Sequence, residues 1–170
     1  MMIRLKPIGV VRVELSDDEV RKAWFTGGVE GIVEVYPEYA EGLRGIDGFS
    51  HLILITWLHK ADDEGKRRVL VVKPRRFMML GFKPEELPVM GVFACDSPHR
   101  PNPIGLSIVR LLGREGRILR VAGLDLFDGT PVLDIKAYTP DRAVDNIMVP
   151  EWYREFERKI EEKLGRKTPI

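Results

Sequence analysis

Glycine and proline occur so often along this sequence that only short segments of regular structure fit between them. The chain has 16 glycines and 12 prolines among its 170 residues. Short apolar segments separated by such residues are typical of strands joined by turns. Many short strands and few helices predict a β-barrel or a β-sandwich, and not a parallel α/β sheet. The predicted strands include residues 31–36, 50–59, 69–73, 89–95, 105–112, 117–122 and 131–138.

Two short stretches depart from this strand pattern and predict helices. Ser16 and Glu19 have the spacing of a capping box, which predicts a helix running to about Trp24. Pro150 suits the first position of a second helix, and Gly165 suits its C-cap. Between these two residues an apolar side chain recurs every four residues, as on one face of a helix, at Trp152, Phe156, Ile160 and Leu164.

The composition indicates a globular domain of the cell interior. A chain of this length fits one domain, and we expect a barrel at residues 1–150 with residues 151–170 as its C-terminal helix and tail. Cys95 is the single cysteine, so no internal disulfide can form and nothing suggests secretion. No apolar run reaches membrane-spanning length, and the expected compartment is the cytoplasm, without membrane contact.

The net charge hides an uneven distribution. Lysine and arginine total 27 against 26 acidic residues, a balance of +1, which argues against non-specific coating of nucleic acid. Residues 61–120 nevertheless carry 12 basic and 7 acidic groups, a balance of +5, and each flank has a balance of −2. This basic third, with the run Lys66–Arg68, is either an anion or RNA footprint or a set of solvated charges balanced by neighbours.

The most unusual segment is 96–105, which has three prolines within six residues. Each proline fixes its own φ and restricts the residue before it, here Ser97, Arg100 and Asn102. The segment is therefore a stiff loop that presents a hydroxyl, a guanidinium and an amide at little ordering cost. Gly105 allows a close backbone approach before the next strand. A purely structural loop is the alternative.

A second polar stretch follows at residues 124–138. Asp128 and Gly129 indicate a turn, and a carboxylate of Asp128 that only caps this turn is the structural alternative. Asp134, Lys136 and Tyr138 share one strand face because side chains alternate with a period of two. Such a face is costly in a core unless its groups are paired, so it either is exposed to solvent or lines a site.

These two stretches together resemble the TsaA/YaeB-like family, whose characterised members (TrmO) are tRNA methyltransferases acting on N6-threonylcarbamoyladenosine next to the anticodon. The resemblance rests on the runs Ser97–Ser107 and Asp128–Lys136, and on Pro7–Arg12 and Gly48–Leu52 in the same order. It covers about residues 6–140. The resemblance implies a mainly β, single-sheet barrel of about seven or eight strands with short helices, S-adenosylmethionine as cofactor, a tRNA anticodon stem-loop as substrate, and a homodimer.

The resemblance also implies a set of cofactor contacts, carried over position by position. They are His59, Lys60, Asp96, Arg100, Asn102, Pro103, Leu124, Asp128, Gly129 and Thr130. Two departures fall at expected cofactor-side positions. Asp96 stands where family members often have arginine, and the helix-like segment 16–24 replaces a Pro-Arg-Gln loop.

Methylation of a carbamoylated adenine nitrogen requires removal of its proton. Asp134 is the first candidate for the catalytic base and Tyr138 the second, while Arg100 or Lys136 would hold the threonyl carboxylate or a phosphate. Phe93 and Phe127 either stack on a splayed base or belong to the core.

Two other functions are compatible with parts of the sequence. The departures leave open a non-catalytic barrel that binds S-adenosylmethionine or RNA. A zinc enzyme is disfavoured, and no metal is expected, because Pro98 prevents the helix that would bring Cys95 and His99 together.

Overall fold

A computed structural model describes residues 3–168 of the chain. Within these residues it contains eight strands and three α-helices. The strands are β1 (Gly9–Arg12), β2 (Val29–Val35), β3 (His51–Trp57), β4 (Val71–Val72), β5 (Met90–Gly91), β6 (Ile104–Glu115), β7 (Ile118–Leu124) and β8 (Pro131–Ala137). The helices are α1 (Asp17–Ala23), α2 (Glu64–Arg67) and α3 (Glu151–Leu164).

The chain divides into two compact units, each built from two segments. The first unit comprises the described residues up to Lys60 together with Pro103–Ala143. The second unit comprises Ala61–Asn102 and the described residues from Val144 onward. The predicted boundary of a barrel domain at residue 150 stays a prediction.

The first unit is a closed antiparallel barrel of six strands in the order β1-β2-β7-β6-β3-β8. The circle closes where Gly9 and Val10 of β1 pair with Val132 and Pro131 of β8. This confirms the mainly β barrel, although six strands close it rather than seven or eight. The other two strands, β4 and β5, pair only with each other in a separate two-stranded sheet.

Alternation of side chains along the barrel strands creates its core. The inward positions of β3 and β6 illustrate this, because Leu52, Leu54 and Val109 are completely buried. Valine and leucine from all six strands fill the interior, and such branched side chains suit a pleated, half-buried surface. The segment predicted to be buried on both faces is β3, where Ile53 on the opposite face is also buried.

Helix α1 follows β1 in the chain and confirms the predicted capping box. The hydroxyl of Ser16 accepts from the backbone N–H of Glu19, whose carboxylate accepts from the Ser16 N–H. Val20 anchors the helix because it is buried in the barrel core. A 3₁₀ turn at Trp24–Thr26 follows and ends at Gly27, whose φ of 98° suits a residue without a Cβ.

The second unit has an aromatic core under α3. Phe77, Phe82 and Phe156 meet edge to face, with ring centroids 5.0–6.0 Å apart. Gly165 ends α3 in the left-handed conformation, as predicted. Pro150 is the N-cap and not the first helical residue, so that detail was wrong by one position.

Candidate functional site

The loop after β3 is joined to the end of the proline-rich segment. The backbone N–H of Leu58 donates to the carbonyl of Pro103 over 2.7 Å. A Cβ added to Gly105 would lie 2.6 Å from Oγ1 of the buried Thr56 and 2.8 Å from Cδ2 of Leu58. Glycine is therefore favoured at position 105 by the close approach of two side chains, where the sequence had predicted the approach of a backbone.

The turn at residues 128–130 is fixed against the end of β1. Oδ1 of Asp128 accepts from the backbone N–H of Val13 over 3.0 Å, and the N–H of Gly129 donates to the carbonyl of Val11 over 2.9 Å. The hydroxyl of the buried Thr130 donates to the Phe127 carbonyl over 2.7 Å. The carboxylate of Asp128 thus has a structural contact, and its residue remains exposed at the surface.

Three charged side chains gather beside the ring of Phe127. Nζ of Lys60 lies 2.6 Å from both carboxylate oxygens of Asp17 and 4.8 Å from the centroid of Phe127. The guanidinium of Arg21 lies 4.9 Å from the same centroid. We call Asp17, Arg21, Lys60 and Phe127 the α1 cluster. Sequence reasoning missed Asp17 and Arg21, because the helix that carries them is 43 positions from Lys60.

His59, next to Lys60 in the chain, has a ring nitrogen without a hydrogen-bond partner. Its Nδ1 is buried and has no hydrogen-bond partner. Burial lowers the pKa of His59 and the charge of Lys60 lowers it further, while Asp17 and Asp128 act in the opposite direction. The imidazole is therefore mainly neutral at neutral pH, and its Nδ1 is left with an unmet hydrogen bond.

The first unit also offers space for a ligand near these groups. A groove of about 620 Å³ reaches Asp128 and is lined by Arg12 of β1 and Arg120 of β7. Small-molecule sites usually have volumes of about 300–1,000 Å³. Leu124 contributes differently, since its side chain is completely buried in the barrel and only its backbone can meet a ligand.

The predicted cofactor residues of the second unit lie on the stiff loop. The guanidinium of Arg100 donates to the carbonyls of Val92 and Cys95, and its Nε is buried without a partner. Arg100 thereby holds the 3₁₀ turn Val92–Ala94. Asp96 and Asn102 are exposed.

Phe93 is 83% exposed, so the alternative that placed it in the core was wrong. The reason is local, because the tight turn directs Val92 inward, where it is 1% exposed, and projects the next side chain outward. Phe127 is half-buried and packs against the barrel core, although cations approach its ring.

Asp134 and Lys136 form an ion pair on the outer face of β8. Oδ2 of Asp134 lies 2.7 Å from Nζ of Lys136, and the two side chains are 46% and 51% exposed. Oδ1 of Asp134 also accepts from the Ile135 N–H. Both side chains of this pair are thus accessible from solvent. Tyr138 follows the strand and is half-buried, with its backbone N–H bonded to the His51 carbonyl.

The basic run of α2 is balanced by its neighbours. Lys66 pairs with Asp63, Arg67 with Asp62, and Arg68 with Glu64. This favours the interpretation of Lys66–Arg68 as solvated charges. In residues 3–168, no group of three or more potential metal ligands lies together. No helix of that region is long and apolar enough to cross a membrane.

Comparisons with known proteins identify the family and support the fold of this chain. A family model described as the tRNA-methyltransferase O N-terminal domain matches residues 4–145. A probable S-adenosyl-L-methionine-binding protein of Pyrococcus abyssi is 41% identical over 95% of this chain and 82% of its own length. An S-adenosyl-L-methionine-binding protein of Archaeoglobus fulgidus is 40% identical over 81% of this chain and 90% of its own. A crystal structure of TrmO superimposes with a TM-score of 0.65 at 30% identity, covering 98% of this chain and 77% of that one.

Proposed function

Since this chain belongs to the tRNA-methyltransferase O N-terminal domain family, we propose that it is an S-adenosylmethionine-dependent methyltransferase that methylates N6 of threonylcarbamoyladenosine next to the anticodon of tRNA. The observation that carries the proposal is the convergence of two separate family motifs in the first unit. The segment Leu58–Lys60 is bonded to Pro103, and Lys60 reaches the residue that precedes the turn 128–130.

The groups present fit the charges and polar atoms of S-adenosylmethionine. When bound, this cofactor supplies a methyl group activated by a sulfonium. Lys60 would hold its carboxylate, and Nδ1 of His59 would fill its missing hydrogen bond on the ligand. Gly129, with a φ of 77° and open space at its Cβ position, lets a ligand approach the backbone of the turn. Asp96, Arg100 and Asn102 of the second unit stay proposed cofactor contacts on the strength of the family resemblance alone.

The acceptor nitrogen must lose a proton before or during methyl transfer. Asp134 remains the proposed base and Tyr138 the second choice, and the exposure of Asp134 makes it accessible to a large substrate such as RNA. Lys136 is the proposed contact for the threonyl carboxylate or a phosphate. Arg100 is the weaker candidate for that contact, because its guanidinium is already engaged with two backbone carbonyls.

Recognition of the anticodon stem-loop is proposed to involve Phe93. An exposed aromatic ring stacks on unpaired bases, which is how single-stranded RNA is usually bound. We also expect a homodimer in the cytoplasm. Leu106 and Ile108 on the outer face of β6 are 63% and 49% exposed, and a second copy would cover such an apolar surface.

Calorimetric titration with S-adenosylmethionine, followed by a methyl-transfer assay, tests the proposal. We expect binding, and transfer of the methyl group to tRNA that carries threonylcarbamoyladenosine. The matched control is the same tRNA transcribed without the modification, which should accept no methyl group. Binding without transfer to either RNA would favour a non-catalytic barrel, and absence of binding at millimolar ligand would reject the methyltransferase.

A further inference from the structure

The ammonium of Lys60 already has an anionic partner within its own unit. Asp17, the first residue of α1, places both carboxylate oxygens 2.6 Å from Nζ of Lys60. The two side chains are 34% and 42% exposed, so the pair lies at the surface and is accessible to a ligand. The neighbouring Phe127 ring limits Lys60 further, because it lies 4.8 Å from the same ammonium.

A second carboxylate arriving at Lys60 would meet the first one. Two carboxylates that share one ammonium leave a net charge of −1, and at such short distances their mutual repulsion is appreciable even near a surface. Asp128 adds another negative charge nearby, since it acts on His59 together with Asp17 and Lys60. The ion pair therefore opposes any ligand that brings a carboxylate to this place.

We propose that Asp17 is a specificity-determining residue, which competes with the carboxylate of the cofactor for the ammonium of Lys60. This inference rests on the proposed function, because it assumes that the methionine part of S-adenosylmethionine binds at Lys60. Binding then exchanges one carboxylate for another at Lys60, while the buried Val20 keeps α1 in place against the barrel core. The cofactor site is thus weaker for ligands with a carboxylate than its charged groups alone would make it.

The competition predicts an affinity change that depends on the chemistry of the ligand. Replacing Asp17 by asparagine keeps the size of the side chain and removes its charge. We expect Asp17→Asn to bind S-adenosylmethionine about twofold to fivefold more tightly, the range that an exposed ion pair spans. Decarboxylated S-adenosylmethionine has the same sulfonium and amine without the carboxylate. Because it carries only positive charges, its affinity should not rise when the negative charge of Asp17 is removed.

Calorimetry on the full chain compares four proteins with these two ligands. Asp18→Asn is the matched control, because Asp18 is the next residue of α1 and pairs with Arg21 instead of Lys60. Asp17→Glu should keep the carboxylate and the wild-type affinity. Binding of S-adenosylmethionine by the wild-type protein tests the proposed function separately, before any variant is compared.

Each outcome has one meaning. A tighter complex of Asp17→Asn with S-adenosylmethionine alone supports the competition. Weaker or unchanged binding by this variant overturns it, and so does an equal change for both ligands, which would reflect a general change of the site. If the wild-type protein binds neither ligand, the proposed function fails and the inference fails with it.

Discussion

Arg100 is the residue of the proline-rich segment whose loss should have the clearest structural effect. Its guanidinium donates to the carbonyls of Val92 and Cys95 and so fixes the turn that projects Phe93. Arg100→Ala removes both hydrogen bonds at once. We therefore expect this variant to lower the free energy of unfolding as well as the affinity for RNA.

The expected loss in free energy of unfolding follows from the number of these hydrogen bonds and from their burial. A hydrogen bond from a charged donor contributes about 1.5–3 kcal/mol. Arg100 and Cys95 are half-buried, so water can reach part of the turn and replace some of the lost interaction. The lower end of the range applies to both bonds, and the expected loss is about 2–3 kcal/mol. Arg100→Lys keeps one charged donor group, so its free energy of unfolding should lie between those of the wild-type protein and Arg100→Ala.

Urea denaturation followed by circular dichroism measures this loss. The control is Arg68→Ala in the same unit, because Arg68 pairs only at the surface with Glu64, where both side chains are more than 75% exposed. It should change stability by less than about 0.5 kcal/mol. If Arg100→Ala is as stable as Arg68→Ala while its affinity for S-adenosylmethionine collapses, the guanidinium serves the ligand and not the turn.

Three further predictions concern other parts of the molecule. Gly105→Ala should lose about 1–3 kcal/mol in the same denaturation assay because its Cβ would collide with Thr56, whereas Gly42→Ala, with nothing within 4 Å of the new Cβ, should change little. Titration of the imidazole signals by nuclear magnetic resonance should give His59 a pKa below the ordinary histidine value. Because the folded protein holds the neutral imidazole, the contribution of His59 to the free energy of unfolding is complete above the ordinary histidine pKa. This contribution is lost as the pH falls through the lower pKa of the folded state. An unshifted His59 signal would contradict the expectation. Phe93→Ala should leave the melting temperature unchanged yet weaken anticodon stem-loop binding, with equal RNA binding counting against the stacking role.

Local signals in the sequence were sufficient for the elements that they specify directly. The capping box gave α1 its start, and the four-residue apolar period of α3 predicted its buried side chains Phe156 and Ile160. The segments 69–73 and 89–95 were overestimated, because only β4 and β5 form there, two residues each. Val92–Ala94 bends into a turn held by Arg100, a contact that no local pattern announces.

The α1 cluster shows why the site itself was only partly predictable. Lys60 and the turn at 128–130 came from a resemblance between motifs, but their partner Asp17 lies on a helix where that resemblance fails. A salt bridge between residues 43 positions apart depends on the closure of the barrel. A single sequence contains the residue types but not the register that brings them together.

The ion pairs show how the charges of this chain are arranged, which the net charge of +1 did not reveal. Acids of α2 and its N-cap neutralise much of the basic run, and two more arginines of the basic third, Arg114 and Arg117, pair with Asp47 and Glu34 from the first third of the chain. Paired charges exert little attraction beyond the screening length of about 8 Å at physiological ionic strength. These pairs lower the long-range attraction that the basic third would exert on a polyanion, because acids from outside it offset two of its arginines. Selection of the proposed tRNA substrate would then depend more on contacts at short range, and the exposed ring of Phe93 is the contact that we propose.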